Sequence, residues 1–274
     1  MLAEIAGWLQ AHGIQATFDT ETAVLAGVPK DFPIATRDDL PRHVDLVIVL
    51  GGDGSLLGMA NRIARAEVDI PVLGINFGSL GFLTEVTLEE IEPALAGAIE
   101  GTAPIEERMT LRGQVMRNGN AVDDRLALND IVVNRGSLSR IVDMSITIDG
   151  KPVTHVRADG LIVTTPTGST AYNLAAGGPI VHPEVDALVV TPIAPHTLTY
   201  RPIVIPGSSE VRIKPTIEGG SDELYATFDG QHGVPLISGD EIVMKKSSHR
   251  MKLMRASSRS YFDVLREKLK WGQR

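Results

Sequence analysis

The residues best suited to chemistry lie at Gly51-Gly52-Asp53-Gly54-Ser55. An apolar run, Val44 to Leu50, precedes them and reads as a buried strand. Leu56, Leu57, Ala60, Ile63 and Ala64 follow with helical spacing, and Ser55 is a natural N-cap for that helix. Glycines at such a turn let the backbone approach a ligand without Cβ obstruction. The helix start adds free N–H groups and a partial positive charge, which suits phosphate held by Gly51, Gly52, Gly54 and Ser55. A carboxylate inside an anion site repels the ligand and needs a reason. Asp53 could remove a proton from an attacking hydroxyl, or hold a divalent ion through water. The motif is neither a Walker A loop nor the dinucleotide fingerprint, because Leu57 stands where a third glycine is required. A tight turn with a helix-capping Asp fits the same residues.

A second group is Thr165-Pro166-Thr167-Gly168-Ser169-Thr170-Ala171-Tyr172-Asn173, running on to Gly177-Gly178-Pro179. Its hydroxyls and small residues can bind ribose and phosphate, and Tyr172 offers an apolar ring face. A Ser/Thr-rich turn capping a helix is the plainer reading. Upstream, Asn129-Asp130 sets an amide beside a carboxylate, a pair suited to two ribose hydroxyls, though also to an Asx turn. Arg157 and Asp159, two apart in an extended segment, face one side; taken alone, an exposed ion pair is the better reading. The seven histidines show no metal-ligand spacing. No Gly-x-Ser-x-Gly elbow supports a hydrolase.

These residues need elements to position them. Ile5, Trp8 and Leu9 share a helical face with Gly13 as the stop, so the chain opens on a helix where an α/β domain would have a strand. The run to Leu50, the helix after it and Pro71-Val72-Leu73-Gly74-Ile75 make a β-α-β unit with a right-handed crossover. Thr87 and Glu90 form a capping box for a helix ending near Gly101. Residues 1–103 therefore read as an α/β nucleotide-binding domain. From 104 to 250 short strands dominate, with Asp149-Gly150 a hairpin turn and further strands at 161–163, 188–190, 203–205 and 211–213. That half reads as mostly β. Phe262, Leu265 and Leu269 restore helical spacing in 251–274, and that C-terminal helix is expected to return to the N-terminal α/β domain.

Composition narrows the function. The 274 residues carry a formal charge of −8 with pI near 5.4, so a nucleic-acid partner is not expected. The absence of cysteine removes disulfides and thiolate chemistry. The longest apolar run falls far short of the roughly 20 residues of a membrane span. No basic-then-apolar leader is visible at Met1-Leu2-Ala3-Glu4-Ile5, so no membrane partner and a cytoplasmic location are expected.

In order and spacing, Gly51 to Ser55, Asn129-Asp130, Thr165 to Asn173 with Gly177-Gly178-Pro179, and Arg201-Pro202-Ile203-Val204-Ile205-Pro206 resemble the bacterial NAD kinases over almost the whole chain. The resemblance implies NAD + ATP → NADP + ADP, with ATP as donor and the 2′-hydroxyl of the adenosine ribose as acceptor. Asp53 would be the general base, and a divalent ion, Mg²⁺ by family habit, would neutralise the phosphates. Substrate would meet Asp53, Gly54, Asn129, Asp130, Arg140, Arg157 and Asp159. Thr170, Ala171, Tyr172, Asn173, Leu174 and Ala175 would line the dinucleotide pocket, with Ala194 and Gln231 nearby. It further implies a homo-oligomer, tetramer or dimer, with the β domains in contact and sites near subunit interfaces. The family more often has Asn-Glu at 129–130, and it usually begins with a strand not seen here. Gly-Gly-Asp-Gly is shared with diacylglycerol-type lipid kinases, so a lipid kinase is one alternative; a non-catalytic NAD-binding sensor is another.

Overall fold

The structure is a computed structural model and describes residues 1–28, 32–136, 141–217 and 224–272. The chain divides into two compact units, Met1–Ile105 with Lys252–Arg274, and Glu106–Met251.

In the first unit α1 (Leu2–Ala11) ends before Gly13, whose φ of 75° stops the helix. Strand β1 (Phe18–Asp19), helix α2 (Thr20–Ala26) and strand β2 (Ile34–Ala35) follow, with β1 and β2 parallel. Strand β3 (Val47–Leu50) then enters α3 (Asp53–Ala66), and β4 (Pro71–Ile75) lies parallel beside β3. Val44, Asp45 and Leu46 lie outside the strand, which is shorter than the run from 44 to 50 suggested. The N-cap of α3 is Gly52, not Ser55: Ser55 already sits in the first turn, its N–H bonded to the Gly52 carbonyl. The Thr87–Glu90 capping box is present and leads into α4 (Ile91–Ile99). Ile5 and Leu9 of α1, Leu73 and Ile75 of β4, and Ala94 and Leu95 of α4 share one core.

The second unit holds β5 (Ile105–Arg117), β6 (Asn120–Ala127), β7 (Asp130–Arg135), β8 (Val142–Ile148), β9 (Lys151–Ala158) and β10 (Gly160–Thr164). A short helix α5 (Tyr172–Ala175) precedes β11 (Ala187–Ile193), β12 (Ile203–Pro206), β13 (Val211–Thr216), β14 (Leu224–Phe228), β15 (His232–Leu236) and β16 (Glu241–Met254). One antiparallel sheet runs β12-β11-β10-β7-β14-β15. Beside it β9, β8, β13 and the first half of β16 pair antiparallel, and β5 pairs both β16 and β6. Met144, Leu161, Val163, Ile213 and Phe228 are among the side chains buried in this unit's core. Asp149 and Gly150, with φ of 50° and 73°, make the β8–β9 turn in the left-handed geometry a tight hairpin needs.

The chain then returns. The end of β16 pairs parallel with β4 through Lys252 and Leu253, and α6 (Tyr261–Leu269) belongs to the first unit. Helix α6 buries Val264 and Leu265, whereas Phe262 is exposed, so its inward stripe differs from the 262/265/269 spacing. A buried bidentate pair, Arg255 with Glu85, anchors this return at 2.5 Å on each arm. The architecture is an N-terminal α/β domain and a mostly-β domain with a C-terminal helix.

Candidate active site

Asp53 opens α3, where a carboxylate suits the helix dipole. Its side chain reaches the segment after β4. Oδ1 accepts from the Leu83 and Thr84 amides at 3.0 Å each and from Thr84 Oγ1 at 2.9 Å; among the described residues, Oδ2 accepts only from the Phe82 amide, at 2.8 Å. A carboxylate has about four lone-pair positions. Oδ1 is fully engaged and Oδ2 keeps one open. Gly81 makes room for this: a Cβ there would lie 2.1 Å from Asp53 Oδ1. Gly51 has a similar reason, since a Cβ would lie 2.7 Å from Ser55 Oγ. Gly52, Gly54 and Ser55 are exposed, with open space where a Cβ of either glycine would go.

The second unit gathers three segments distant in sequence. The Asn129 carbonyl accepts from Thr164 Oγ1 and the Thr165 amide, both at 2.9 Å, and Thr165 Oγ1 donates to the Leu128 carbonyl at 2.6 Å. Gly168 packs on the Asn129 carbonyl so closely that a Cβ would stand 2.3 Å from its oxygen. On the other side, the Asp229 carboxylate accepts the amides of Leu128, Asn129 and Asp130 at 2.8, 2.7 and 3.1 Å. Asp229 and Gly230, with φ of 51° and 64°, form the tight β14–β15 turn that aims this carboxylate, and Gln231 follows, exposed. The Asn129–Asp130 bend is thus clamped from both sides.

Burial pushes the Asp130 carboxyl up to about 7, with Asp229 as the like-charged neighbour adding to it. Asp229 is raised to about 6 by burial, against the pull of its three amide donors. Neither carboxylate fits the picture of a freely solvated acid.

Thr170, Ala171 and Leu174 are half-buried, and Tyr172 and Ala175 are exposed. Asn173 is fully buried and its amide is spent on the framework. Nδ2 donates to the Ser169 and Pro179 carbonyls at 3.0 Å each, and Oδ1 accepts from Thr191 Oγ1 at 2.7 Å. What Asn173 can offer a ligand is backbone.

Arg157 is exposed and pairs with Asp143, its register partner across β8–β9, at 3.2 Å. Asp159 lies at the start of β10 beside Ala194, since the Asp159 amide bonds the Ile193 carbonyl at 2.9 Å. Ala194 holds φ of 43°, a strained conformation for a residue with a side chain. Asp130 instead pairs with Thr164 at the far end of β10. Five steps of extended chain, ~17 Å, separate the two groups within one chain. Arg140 lies outside the described residues. Among the described residues no group of three or more His, Asp or Glu could hold a metal ion. No described helix is long and apolar enough to cross a membrane.

Asp229, Thr84 and Gly81 went unread in the sequence. The Asp229-Gly230 dipeptide is a hairpin signal, but nothing local shows a carboxylate reaching a bend 100 positions earlier.

Comparison with known proteins shows the family. The ATP-NAD kinase N-terminal domain matches residues 2–103, and the ATP-NAD kinase C-terminal domain matches residues 128–256. The NAD kinase of Geotalea daltonii is 44% identical over 271 residues, 99% of this chain and 93% of its own. That of Acidobacterium capsulatum is 46% identical over 275 residues, 100% of this chain and 94% of its own. Among solved structures, yeast NADH kinase complexed with NADH superposes with a TM-score of 0.88 at 28% identity, covering 100% of this chain and 84% of its own. An NAD kinase from Archaeoglobus fulgidus in complex with ATP gives 0.73 at 25% identity, covering 92% and 99%. The chain belongs to the ATP-NAD kinase family of phosphotransferases.

Proposed function

We propose that this chain transfers the γ-phosphoryl group of ATP to the 2′-hydroxyl of the adenosine ribose of NAD, with Asp53 as general base. The observation that carries the assignment of the base is the open lone-pair position on Asp53 Oδ2, beside a glycine turn at a helix start. As the bond from the 2′-oxygen to the γ-phosphorus forms, the bond from that phosphorus to the bridging oxygen breaks. ADP leaves, and the hydroxyl proton passes to Oδ2. Gly51, Gly52, Gly54 and Ser55 supply the phosphate contacts. A divalent ion, Mg²⁺ in this reading, arrives on the triphosphate as part of the donor, a mode that needs no all-protein cage.

Asn129 and Asp130 hold ribose hydroxyls, and the two-sided clamp on their backbone supports that role. Thr170 to Ala175 line the dinucleotide pocket, with Asn173 as its buried frame and Gln231 at its edge. Arg157, Asp159 and Ala194, at the other end of β10, contact substrate either along an elongated ligand or at the site of a second copy. The homo-oligomer, dimer or tetramer, would provide for the second. The protein would work in the cytoplasm. The diacylglycerol-kinase alternative gives way to the family match over both units.

The test is direct. Purified protein is incubated with NAD, ATP and Mg²⁺, and NADP is detected with a dehydrogenase that accepts only NADP. NADP formation supports the reading. NAD binding without NADP would favour the sensor.

A further inference from the structure

Within the first unit, a hydrogen-bond chain runs behind Asp53, away from its open oxygen. Asn76 Oδ1 accepts the Gly78 amide at 2.7 Å. That contact fixes which way the Asn76 amide points, so Nδ2 must face Thr84 Oγ1, at 3.0 Å. A hydroxyl has one hydrogen to give. With Asn76 donating to it, the Thr84 hydroxyl spends that hydrogen on Asp53 Oδ1, at 2.9 Å. The direction of the chain is therefore determined: Asn76 to Thr84 to Asp53.

The surroundings make the arrangement rigid. Thr84 is completely buried and Asn76 is 8% exposed. The Asn76 backbone N–H donates to the Val86 carbonyl at 2.8 Å, and the Gly81 backbone N–H to the Thr84 carbonyl at 3.0 Å. Together with the Leu83 and Thr84 amides, the hydroxyl fills every acceptor position of Oδ1. Turning the carboxylate out of this plane would break the three bonds to Oδ1.

We propose that Thr84, oriented by Asn76, is a positioning residue for catalysis, locking Asp53 so that Oδ2 alone is presented to the attacking hydroxyl. This rests on the reading of Asp53 as the base. The Thr84 hydroxyl does not touch substrate. It fixes the plane of the carboxylate so that the open lone pair of the outward oxygen does not turn off the line of attack, a misplacement that costs roughly 10²-fold when it reaches 1 Å.

The experiment compares Thr84→Val, Thr84→Ser, Asn76→Asp and Asp53→Asn in the full chain, reading kcat and the KM values for NAD and ATP. Thermal unfolding is measured in parallel. Valine keeps the shape of threonine and removes the hydroxyl. Asn76→Asp keeps the acceptor for Gly78 but turns the donor into an acceptor, which draws the Thr84 hydrogen away from Asp53. The expected result is a kcat about 10- to 100-fold lower for Thr84→Val and Asn76→Asp, with both KM values within about threefold. Thr84→Ser should stay within about threefold of the parent. A purely packing role would instead leave Thr84→Val active and harm Thr84→Ser, which loses the methyl. Thr84→Val or Asn76→Asp at parental kcat, beside an inactive Asp53→Asn, would overturn this proposal and leave the base assignment standing. An active Asp53→Asn would remove the base assignment and the proposal with it.

Discussion

Asp229 is the side chain whose loss should disturb the second unit most informatively. Asp229→Asn keeps the size of the side chain and, because Asn tolerates the left-handed region, suits the φ of 51°. It therefore isolates the carboxylate. In the parent, Oδ1 takes the Asn129 and Asp130 amides and Oδ2 takes Leu128. An amide side chain has only one oxygen. If that oxygen keeps the two Oδ1 bonds, its NH₂ group faces the Leu128 N–H, donor against donor. One hydrogen bond to a charged group is lost, worth about 1.5–3 kcal/mol, and the other two become neutral and weaker. Against this, the like charge beside Asp130 disappears and one buried carboxyl need no longer be desolvated. The net expectation is a loss of about 1–3 kcal/mol, read from equilibrium urea unfolding. Because the loosened bend carries Asn129 and Asp130, the KM for NAD should rise at least about tenfold while kcat changes less. A variant within about 0.5 kcal/mol of the parent, with KM for NAD within twofold, would refute the clamp reasoning.

Three further outcomes follow from the same geometry. Asp130 and Asp229 bind protons more tightly folded than unfolded, so the native state keeps protons that the unfolded chain has released between about pH 4 and pH 7. Their contribution to stability is full below that window and is lost as pH rises through it. Asp130→Asn should thus gain in Tm relative to the parent from pH 5 to pH 8, and a pH-independent Tm difference would contradict this. Gly168→Ala would drive a Cβ to 2.3 Å from the Asn129 carbonyl and 2.4 Å from Thr164 Oγ1. It should cost about 1–3 kcal/mol in urea unfolding and raise the KM for NAD. Glu85→Gln removes the counter-charge of the buried Arg255 and should cost roughly 3 kcal/mol or more, seen as a lower urea midpoint.

The parts of this molecule legible in the sequence were those with local signals. Gly51 to Ser55 announced a strand-to-helix turn because glycine density and helical periodicity meet there. Thr87 with Glu90, and Asp149-Gly150, carry spacing rules that depend on neighbours only, and both appear as read. The N-cap was misread because Ser55 has the better capping side chain, yet the chain turns three residues earlier. The tie from Asp53 to residues 82–84 makes that earlier start compatible with the loop after β4. Strands β5 and β16 escaped notice because charged residues interrupt their alternation, and their burial is irregular. The clamps at Asp229 and Thr84 escaped for a different reason. Each depends on a backbone amide row brought up from a remote segment, and amides have no identity in a sequence. Gly81 and Gly168 were the residual hints, since each is required by an approach too close for a Cβ.

The central claim is that Asp53 takes the proton, and Asp53→Asn tests it most directly. NAD binding is followed by calorimetry and NADP formation by the coupled assay, on the same preparation. The account predicts NAD affinity within about threefold of the parent and turnover lowered by ~10²–10⁴-fold. Turnover within tenfold of the parent would contradict it, and so would the joint loss of binding and turnover, which would make Asp53 a strut for the loop at 82–84 and not the base.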